Sequence, residues 1–232
     1  MIIIDAGHGG FDPGGGSNSY FKEKDLTKKI SDYQKKRFDE LGIPSTLVRT
    51  NDVTLNPKDR TTRIAENGAK ESDILISNHI NNGGSKGAEV IYSVKTDNEL
   101  PNMIANELDK TGVTIRNVYT RLNRLGRDYY FIMRDTLPNK SMIIEYGFAD
   151  NDEDTYRLLY EWPNLAEAVV KAITNYYQLP YTPPKEITYI VKPNDSLYSI
   201  ATKFNTTIDK IKYNNNLTSN TIYPGATLLI SW

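Results

Sequence analysis

Only two histidines occur among the 232 residues, and each follows a short apolar run. His8 lies in "DAGHGG" behind "MIII", and His79 ends "DILISNH". Glu145 ends a third apolar run, "SMIIE", where a charged group is costly to bury without a purpose. Glu23 stands at the start of a helical pattern. Because imidazoles and carboxylates bind metal ions and transfer protons, these four residues are the candidates for chemistry.

Two imidazoles and one carboxylate form the ligand set of many catalytic zinc sites, which keep a further position open for water. Zinc in such a site lowers the pKa of water to about 7. A carboxylate that is not a ligand can then act as general base and later as proton donor. Glu23 and Glu145 fit these two carboxylate roles. The alternative is that the histidines are turn or packing residues and that Glu23 merely suits the helix dipole.

The apolar runs predict strands that alternate with helices, which is typical of an α/β fold with a twisted, mostly parallel sheet flanked by helices. Ligands of such sheets bind outside the carboxyl ends of the strands, so the candidate residues should converge on one edge. Strands are predicted at "MIIIDAG", "STLVR", "DILISNH", "GAEVIYSV" and "SMIIEYG". Helices are predicted over residues 24–41, around 63–70, near 98–110, and within "DEDTYRLLYEW" and "NLAEAVVKAITNYYQL".

Composition excludes several classes of function. With 28 basic and 29 acidic residues the net charge is −1, which argues against nucleic-acid binding. There is no cysteine, so disulfides and thiolate metal sites are excluded. The glycine-rich stretch after residue 6 lacks the GxGxxG pattern, and Asp12 would repel a phosphate, so nucleotide binding is not expected. No basic residue precedes the apolar start and Asp5 interrupts it, so we expect no secretion signal and synthesis in the cytoplasm.

The composition changes at residues 179–187, "LPYTPPKEI". Three prolines there cannot continue the preceding helix and favour a stiff, extended linker. Residues 188–232 then show two strand-like runs, "TYIVK" at the start and "TLLIS" at the end, around two helical stretches. We therefore expect a large domain over residues 1–178, the linker, and a small domain over residues 188–232.

Four segments of the large domain resemble the zinc-dependent N-acetylmuramoyl-L-alanine amidases, the family called amidase type 3. They are "IIIDAGHGGFDPG", "EKDL", "DILISNHINN" and "IIEYGFADN", in the family's order. The resemblance implies that one Zn²⁺ is bound by His8, Glu23 and His79, and that Glu145 is catalytic. It also implies cleavage of the amide between N-acetylmuramic acid and the L-alanine of the stem peptide.

Four further polar residues lie near these segments. Asn81 and Asn82 could hydrogen-bond substrate or could equally form a turn. Arg60 and Arg63 lie where the family usually has one arginine before an "AN" pair, but the spacing here is stretched, so neither is given a role.

The small domain resembles a LysM module over "YIVKPNDSLYSIATKFNTTIDKIKYNNNLTSNTIYPGATLLI". The resemblance implies a small α+β domain of βααβ order that binds N-acetylglucosamine-containing glycans between two loops. Asn194 replaces the family's usual glycine, and asparagine tolerates the left-handed conformation. Tyr198 and Tyr213 are expected in the core. The candidate glycan-binding residues are Asn194, Asp195, Ser196, Leu197, Ile222, Tyr223 and Pro224.

Together these features indicate a monomeric peptidoglycan hydrolase with a wall-binding domain, acting at the bacterial cell wall. The expected setting is a phage endolysin that is released through a holin pore during host lysis. The alternatives are a bacterial autolysin or spore-lysis amidase, a zinc peptidase that cuts within the stem peptide, and a wall-binding protein without catalysis.

Overall fold

A six-stranded mixed sheet forms the centre of the larger part of the chain in the computed structural model, which describes residues 1–231. The strand order is β2-β1-β3-β6-β4-β5. Strands β2, β1, β3 and β6 are parallel, whereas β4 is antiparallel to β6 and parallel to β5. The predicted fold class is confirmed. The strands are β1 (Ile2–Ala6), β2 (Ser45–Leu47), β3 (Ile74–Asn81), β4 (Ala88–Tyr92), β5 (Ile115–Tyr119) and β6 (Lys140–Phe148).

Helices cover both faces of this sheet. Successive side chains of a strand point to opposite faces, so Ile2 and Ile4 pack into one buried cluster and Ile3 into another. This explains why β1 begins with three consecutive isoleucines. The first cluster contains residues of α1 (Glu23–Glu40), α3 (Glu99–Asp109), α5 (Asp152–Tyr160) and α6 (Trp162–Tyr176), and the second contains residues of α2 (Pro57–Glu66) and α4 (Phe131–Arg134). None of the helices within residues 1–231 has the length and apolar character needed to cross a bilayer.

Three elements differ from the sequence expectation, one of them the four-residue helix α4, which was not predicted. Helix α2 begins at Pro57 instead of near residue 63, because the Asn56 side chain caps it by accepting a hydrogen bond from the backbone N–H of Asp59 at 2.9 Å. Proline suits the first turn of a helix, where its missing N–H costs nothing. Strand β5 was not predicted, because this edge strand is only partly buried and its sequence "IRNVY" carries little apolar signal.

The C-terminal part of the chain has the predicted βααβ order and its own core. Strands β7 (Ile187–Ile190) and β8 (Thr227–Ile230) pair antiparallel around α7 (Leu197–Lys203) and α8 (Ile208–Asn214). The expectation that Tyr198 and Tyr213 are core residues is wrong, since they are 71% and 86% exposed. The inward faces of the two helices are already filled by residues such as Ile200 and Ile211.

The segment between α6 and β7 is held against the larger part of the chain. Arg37 of α1 is almost fully buried and donates from Nε and Nη2 to the Glu167 carboxylate at 2.9 and 3.1 Å. Its Nη2 also donates to the carbonyl of Thr182 at 2.7 Å, and the Tyr181 hydroxyl donates to Glu167 at 2.8 Å. Lys192, just after β7, then pairs with Glu161, between α5 and α6, at 2.6 Å, and Ile190 of β7 packs into the first buried cluster.

Candidate metal centre

The turn that carries His8 has an unusual backbone that other side chains hold in place. His8 has φ of 61°, a left-handed conformation that is uncommon for a residue with a Cβ atom. Arg60, which is buried, donates to the carbonyl of Ala6 at 2.8 Å and to that of His8 at 2.9 Å. Arg60 also pairs with Asp5, whose other oxygen accepts from the Ser77 hydroxyl at 2.6 Å. The end of β1 is thus fixed by a buried polar network.

His8, Glu23 and His79 come together at the carboxyl edge of the sheet. The Glu23 Oε1 atom lies 3.2 Å from Nε2 of His8 and 3.1 Å from Nδ1 of His79. One candidate ligand atom from each residue lies within 4.8 Å of the other two. Glu23 is 1% exposed, whereas both imidazoles are partly exposed. Two imidazoles and one carboxylate with open access form a donor set that fits a zinc ion.

Glycine is required where the loop passes these side chains. A Cβ atom on Gly7 would lie 2.4 Å from Cε1 of His79, and one on Gly14 would lie 2.3 Å from Oε2 of Glu23. Gly14 also has φ of +89°, a conformation that strains any other residue. The glycine-rich sequence therefore allows the loop to pack directly onto the donor side chains.

Hydrogen bonds to groups outside the donor set orient Glu23 and His8. Glu23 accepts the backbone N–H of Gly16 at 2.7 Å through Oε2 and that of Ile80 at 2.9 Å through Oε1. His8 Nδ1 lies 2.7 Å from Oδ2 of Asp12, which leaves Nε2 facing Glu23. A carboxylate on the distal nitrogen of a metal-binding imidazole fixes its tautomer and raises its basicity. Asp12 thus has a positioning role that the sequence reasoning missed, although its place four residues after His8 is visible in "HGGFD".

The carboxylates dominate the electrostatics of the cluster. Burial would lower the pKa of His8, but Glu23 and Asp12 outweigh it and raise this pKa to about 9. The pKa of His79 is raised in the same way, because Glu23 and Glu145 outweigh the effect of burial. Burial would raise the pKa of Glu23, but the two imidazoles hold it far below its usual range. The carboxylate is therefore ionised at neutral pH, as a metal ligand must be.

Glu145 lies beside this cluster in a different environment. It is the register partner of His79 on β3 and of Glu89 on β4. Its Oε2 atom is buried and has no hydrogen-bond partner within residues 1–231. Burial raises its pKa to about 7, an effect that His79 opposes and that Glu23 and Glu89 reinforce. A carboxylate with this pKa can both accept and return a proton near neutral pH.

A cleft of about 230 Å³ opens onto these residues. Leu55, Tyr130 and Phe131 give it apolar walls, while Arg60 lines it with its charge already paired to Asp5. The sequence reasoning left Arg60 without a role, and the structure places it under the His8 turn. Arg63 does not line this cleft, and its side chain donates a 3.4 Å hydrogen bond to the carbonyl of Val48.

Asn81 and Asn82 bond within the protein. The Asn81 amide donates to Glu89 at 3.0 Å and its side-chain oxygen accepts the N–H of Asn82 at 2.8 Å. The Asn82 amide donates to the carbonyl of Gly15 at 2.9 Å. Of the two sequence interpretations, these contacts favour the structural one.

The candidate glycan-binding residues lie on two loops that meet at one end of the β7–β8 sheet. The loops are joined by a 2.8 Å hydrogen bond from Gly225 N–H to the Val191 carbonyl. The Asp195 carboxylate accepts from the Tyr189 hydroxyl at 2.6 Å and the Lys192 N–H at 2.8 Å. Ser196 caps α7, Leu197 is buried, Asn194 has φ of 70°, Ile222 packs partly on the core, and Tyr223 and Pro224 are exposed.

Among curated proteins, the chain is 29% identical to the uncharacterized protein YqiI of Bacillus subtilis, over 76% of this chain and 84% of that one. It is 28% identical to the sporulation-specific N-acetylmuramoyl-L-alanine amidase of Bacillus subtilis, over 68% of this chain and 59% of that one. It is 37% identical to the endolysin of Bacillus phage SPP1, over 41% of this chain and 35% of that one.

A solved structure has the same fold. The catalytic domain of CwlV, from Bacillus (Paenibacillus) polymyxa, superposes with a TM-score of 0.66 at 22% identity and covers 77% of this chain and 98% of that domain. The family profile of the LysM domain matches residues 189–231, and that of N-acetylmuramoyl-L-alanine amidases matches residues 2–175. Both resemblances found in the sequence are confirmed. The chain belongs to the N-acetylmuramoyl-L-alanine amidase family of cell wall amidases and carries a C-terminal LysM domain.

Proposed function

We propose that His8, Glu23 and His79 hold one Zn²⁺, and that Glu145 acts as general base and acid in cleaving the amide between N-acetylmuramic acid and L-alanine. The observation that carries the proposal is the pairing of two carboxylates in different environments in one cleft. Glu23 is ionised and bonded to two imidazoles, whereas Glu145 has an unpartnered oxygen and a pKa of about 7. Such a pair suits a division between ligand and proton carrier.

When bound there, zinc supplies Lewis-acid chemistry, which polarises the amide carbonyl and makes water more acidic. Glu145 takes a proton from the attacking water as the carbon–oxygen bond forms. It then returns that proton to the alanine nitrogen as the carbon–nitrogen bond breaks, so that the peptide leaves as an amine. His8 is held in its tautomer by Asp12, and Arg60 fixes the turn that presents it.

We also propose the division of the chain into a catalytic domain over residues 1–178, a linker over residues 179–187 and a wall-binding domain over residues 188–232. In this proposal the two loops around Asn194 and Tyr223 bind N-acetylglucosamine-containing glycan. Binding to the polymer raises the local concentration of substrate for the attached catalytic domain. We expect the protein to act as a monomer.

The cellular role that we propose is lysis by a phage endolysin, with synthesis in the host cytoplasm and release through a holin pore. Similarity to the SPP1 endolysin supports it, and similarity to the sporulation-specific amidase supports the alternative of a bacterial autolysin or spore-lysis enzyme. A holin gene beside the coding gene would favour the phage role, and a sporulation promoter would favour the alternative.

The test of the activity is end-group analysis of purified peptidoglycan after digestion, with and without a chelator. The proposal predicts new N-terminal L-alanine, no new reducing sugar ends, and loss of the reaction on chelation. New amino ends on other residues would instead identify a zinc peptidase. Intact binding to the wall with no new ends of any kind would identify a binding protein without catalysis.

A further inference from the structure

A short hairpin with three exposed arginines stands at the rim of the cleft. We call residues 121–130, between β5 and α4, the arginine hairpin; Arg121, Arg124 and Arg127 are exposed on it. It is ordered by a bridge between Leu122 and Asp128 and by an internal hydrogen bond from Asn123 N–H to the Arg127 carbonyl at 2.8 Å.

The hairpin is anchored to the sheet through its one acidic residue. Asp128 is buried and accepts the Ser93 hydroxyl at 2.7 Å and the Val94 N–H at 2.9 Å. Its charge is therefore turned inward, toward the end of β4. The arginines outside are left without an acidic neighbour from their own hairpin.

Arg121 is the arginine whose position is fixed. Its guanidinium carbon lies 4.0 Å from the centre of the Tyr129 ring, and Nη1 donates to the Tyr130 hydroxyl at 3.2 Å. Within residues 1–231, Arg121 has no carboxylate within salt-bridge distance, and its Nε and Nη2 atoms have no hydrogen-bond acceptor. Nε and Nη2 together form one edge of the guanidinium group. In general, such an edge can bind both oxygens of a carboxylate through two parallel hydrogen bonds.

The neighbour that orients Arg121 is also a wall of the reaction cleft. Tyr130 lines the same cleft as His8, His79 and Glu145. The arginine that itself lines the cleft, Arg60, is occupied by Asp5 and by backbone carbonyls. Arg121 therefore carries an oriented positive charge that no group in the described part of the chain neutralises. Only the Tyr130 side chain separates it from the cleft.

We propose that Arg121, held by Tyr129 and Tyr130, binds a carboxylate of the stem peptide and so determines which peptides are cleaved. The inference rests on the proposed function. In that substrate the lactyl carboxyl group of the sugar is consumed in the scissile amide, so every free carboxylate belongs to the peptide. A planar guanidinium stacked on an aromatic ring suits such a group better than a lysine would.

The test compares two soluble muramoyl peptides that differ only in whether the stem carboxylates are free or amidated. Arg121→Gln should lower kcat/KM on the free-carboxylate substrate by about 10- to 100-fold, mainly through KM, since a hydrogen-bonded ion pair is lost. It should change kcat/KM on the amidated substrate less than twofold. Arg121→Lys should fall between, because it keeps the charge and loses the two-bond geometry.

Arg124→Gln is the matched control, since it removes the same charge from the same hairpin at a side chain without a hydrogen-bond acceptor in the described chain. It should leave both substrates unaffected. Equal losses for Arg121→Gln on both substrates, no loss on either, or a matching loss for Arg124→Gln would overturn the proposal. If the wild-type protein cleaves neither substrate, the proposed function itself fails and the inference fails with it.

Discussion

The candidate metal centre and the candidate glycan loops use polar side chains in opposite ways. In the metal centre, Glu23 and His79 are in contact although they lie 56 residues apart in the sequence. The Glu23 carboxylate is buried and accepts hydrogen bonds from two backbone N–H groups. In the LysM loops, polar groups are used locally: Asp195 bonds Lys192 three residues away, and Ser196 caps its own helix. The large side chain that remains exposed there is an aromatic ring, that of Tyr223.

The difference follows from what each site has to do. A catalytic metal site needs donors fixed in position before the ligand arrives, and only contacts between distant parts of the chain can bury and lock them. A glycan is bound by shape, aromatic surface and backbone groups, which a short loop can provide by itself. We therefore expect substitutions in the metal centre to change zinc binding and activity strongly, and substitutions in the glycan loops to change wall binding only slightly.

The largest effect should come from Gly14→Ala. The new Cβ atom would meet the Glu23 carboxylate, and the residue would be strained at its positive φ. We expect zinc binding and amide cleavage to be lost, together with a lower thermal midpoint. Gly15→Ala is the matched control, because a Cβ atom there meets nothing within 4 Å. Equal behaviour of the two variants, measured by zinc content and thermal unfolding, would contradict the packing described here.

Asp12→Asn should weaken zinc binding without abolishing it. The variant removes the carboxylate from Nδ1 of His8 and leaves all three proposed donors, so we expect zinc affinity to fall about 10- to 100-fold. Competition with a chromophoric chelator measures this directly. Asp32→Asn, which changes an exposed carboxylate paired with Lys28, should leave the affinity unchanged. An unchanged affinity for Asp12→Asn would remove Asp12 from the positioning network.

Zinc binding should be coupled to proton release. His8 has a pKa raised to about 9 in the metal-free protein, so below that pH it must lose a proton to become a ligand. The zinc affinity should therefore rise about tenfold as the pH increases from 7 to 8, for each proton that zinc displaces. Titration calorimetry in buffers of different ionisation enthalpy measures the protons released. The Asp12→Asn variant should release fewer protons, because loss of the Asp12 carboxylate lowers the pKa of His8. Zinc binding by the wild-type protein that does not depend on pH would refute the coupling.

The smallest effect should come from the LysM loops. Tyr223→Ala removes an exposed ring and should weaken binding to purified peptidoglycan by about three- to tenfold. Hydrolysis of a soluble muramoyl peptide should be unchanged, because the loops do not line the catalytic cleft. Tyr213→Ala, which removes a still more exposed tyrosine on α8, is the control and should bind like the wild type. A larger loss for Tyr213→Ala would move the glycan site to the helices.

The sequence predicted the parts of the site that follow from strand position. His8, His79 and Glu145 each end an apolar run, and the carboxyl ends of such strands meet at one sheet edge. It did not predict that Asp12 would lie on His8 or that Arg60 would support the turn, since both contacts depend on how loops fold back.

The two errors have different causes. Helix α2 starts early because a local cap at Asn56 outweighs the apolar pattern used to place it. Tyr198 and Tyr213 are exposed because aliphatic side chains of α7 and α8 occupy the small core. The Asn56–Pro57 start signal is local and readable in the sequence, whereas the exposure of the two tyrosines depends on tertiary packing.

In the proposed mechanism Glu23 holds the metal and Glu145 moves the proton, and one paired measurement tests this assignment. Zinc content and amide hydrolysis should be determined for Glu23→Gln and Glu145→Gln side by side. We predict that Glu145→Gln keeps one zinc per chain while its rate falls by about 10²- to 10⁴-fold, and that Glu23→Gln loses the metal and the activity together. If Glu145→Gln lost zinc as Glu23→Gln does, or kept the wild-type rate, the assignment of the two carboxylates would be wrong.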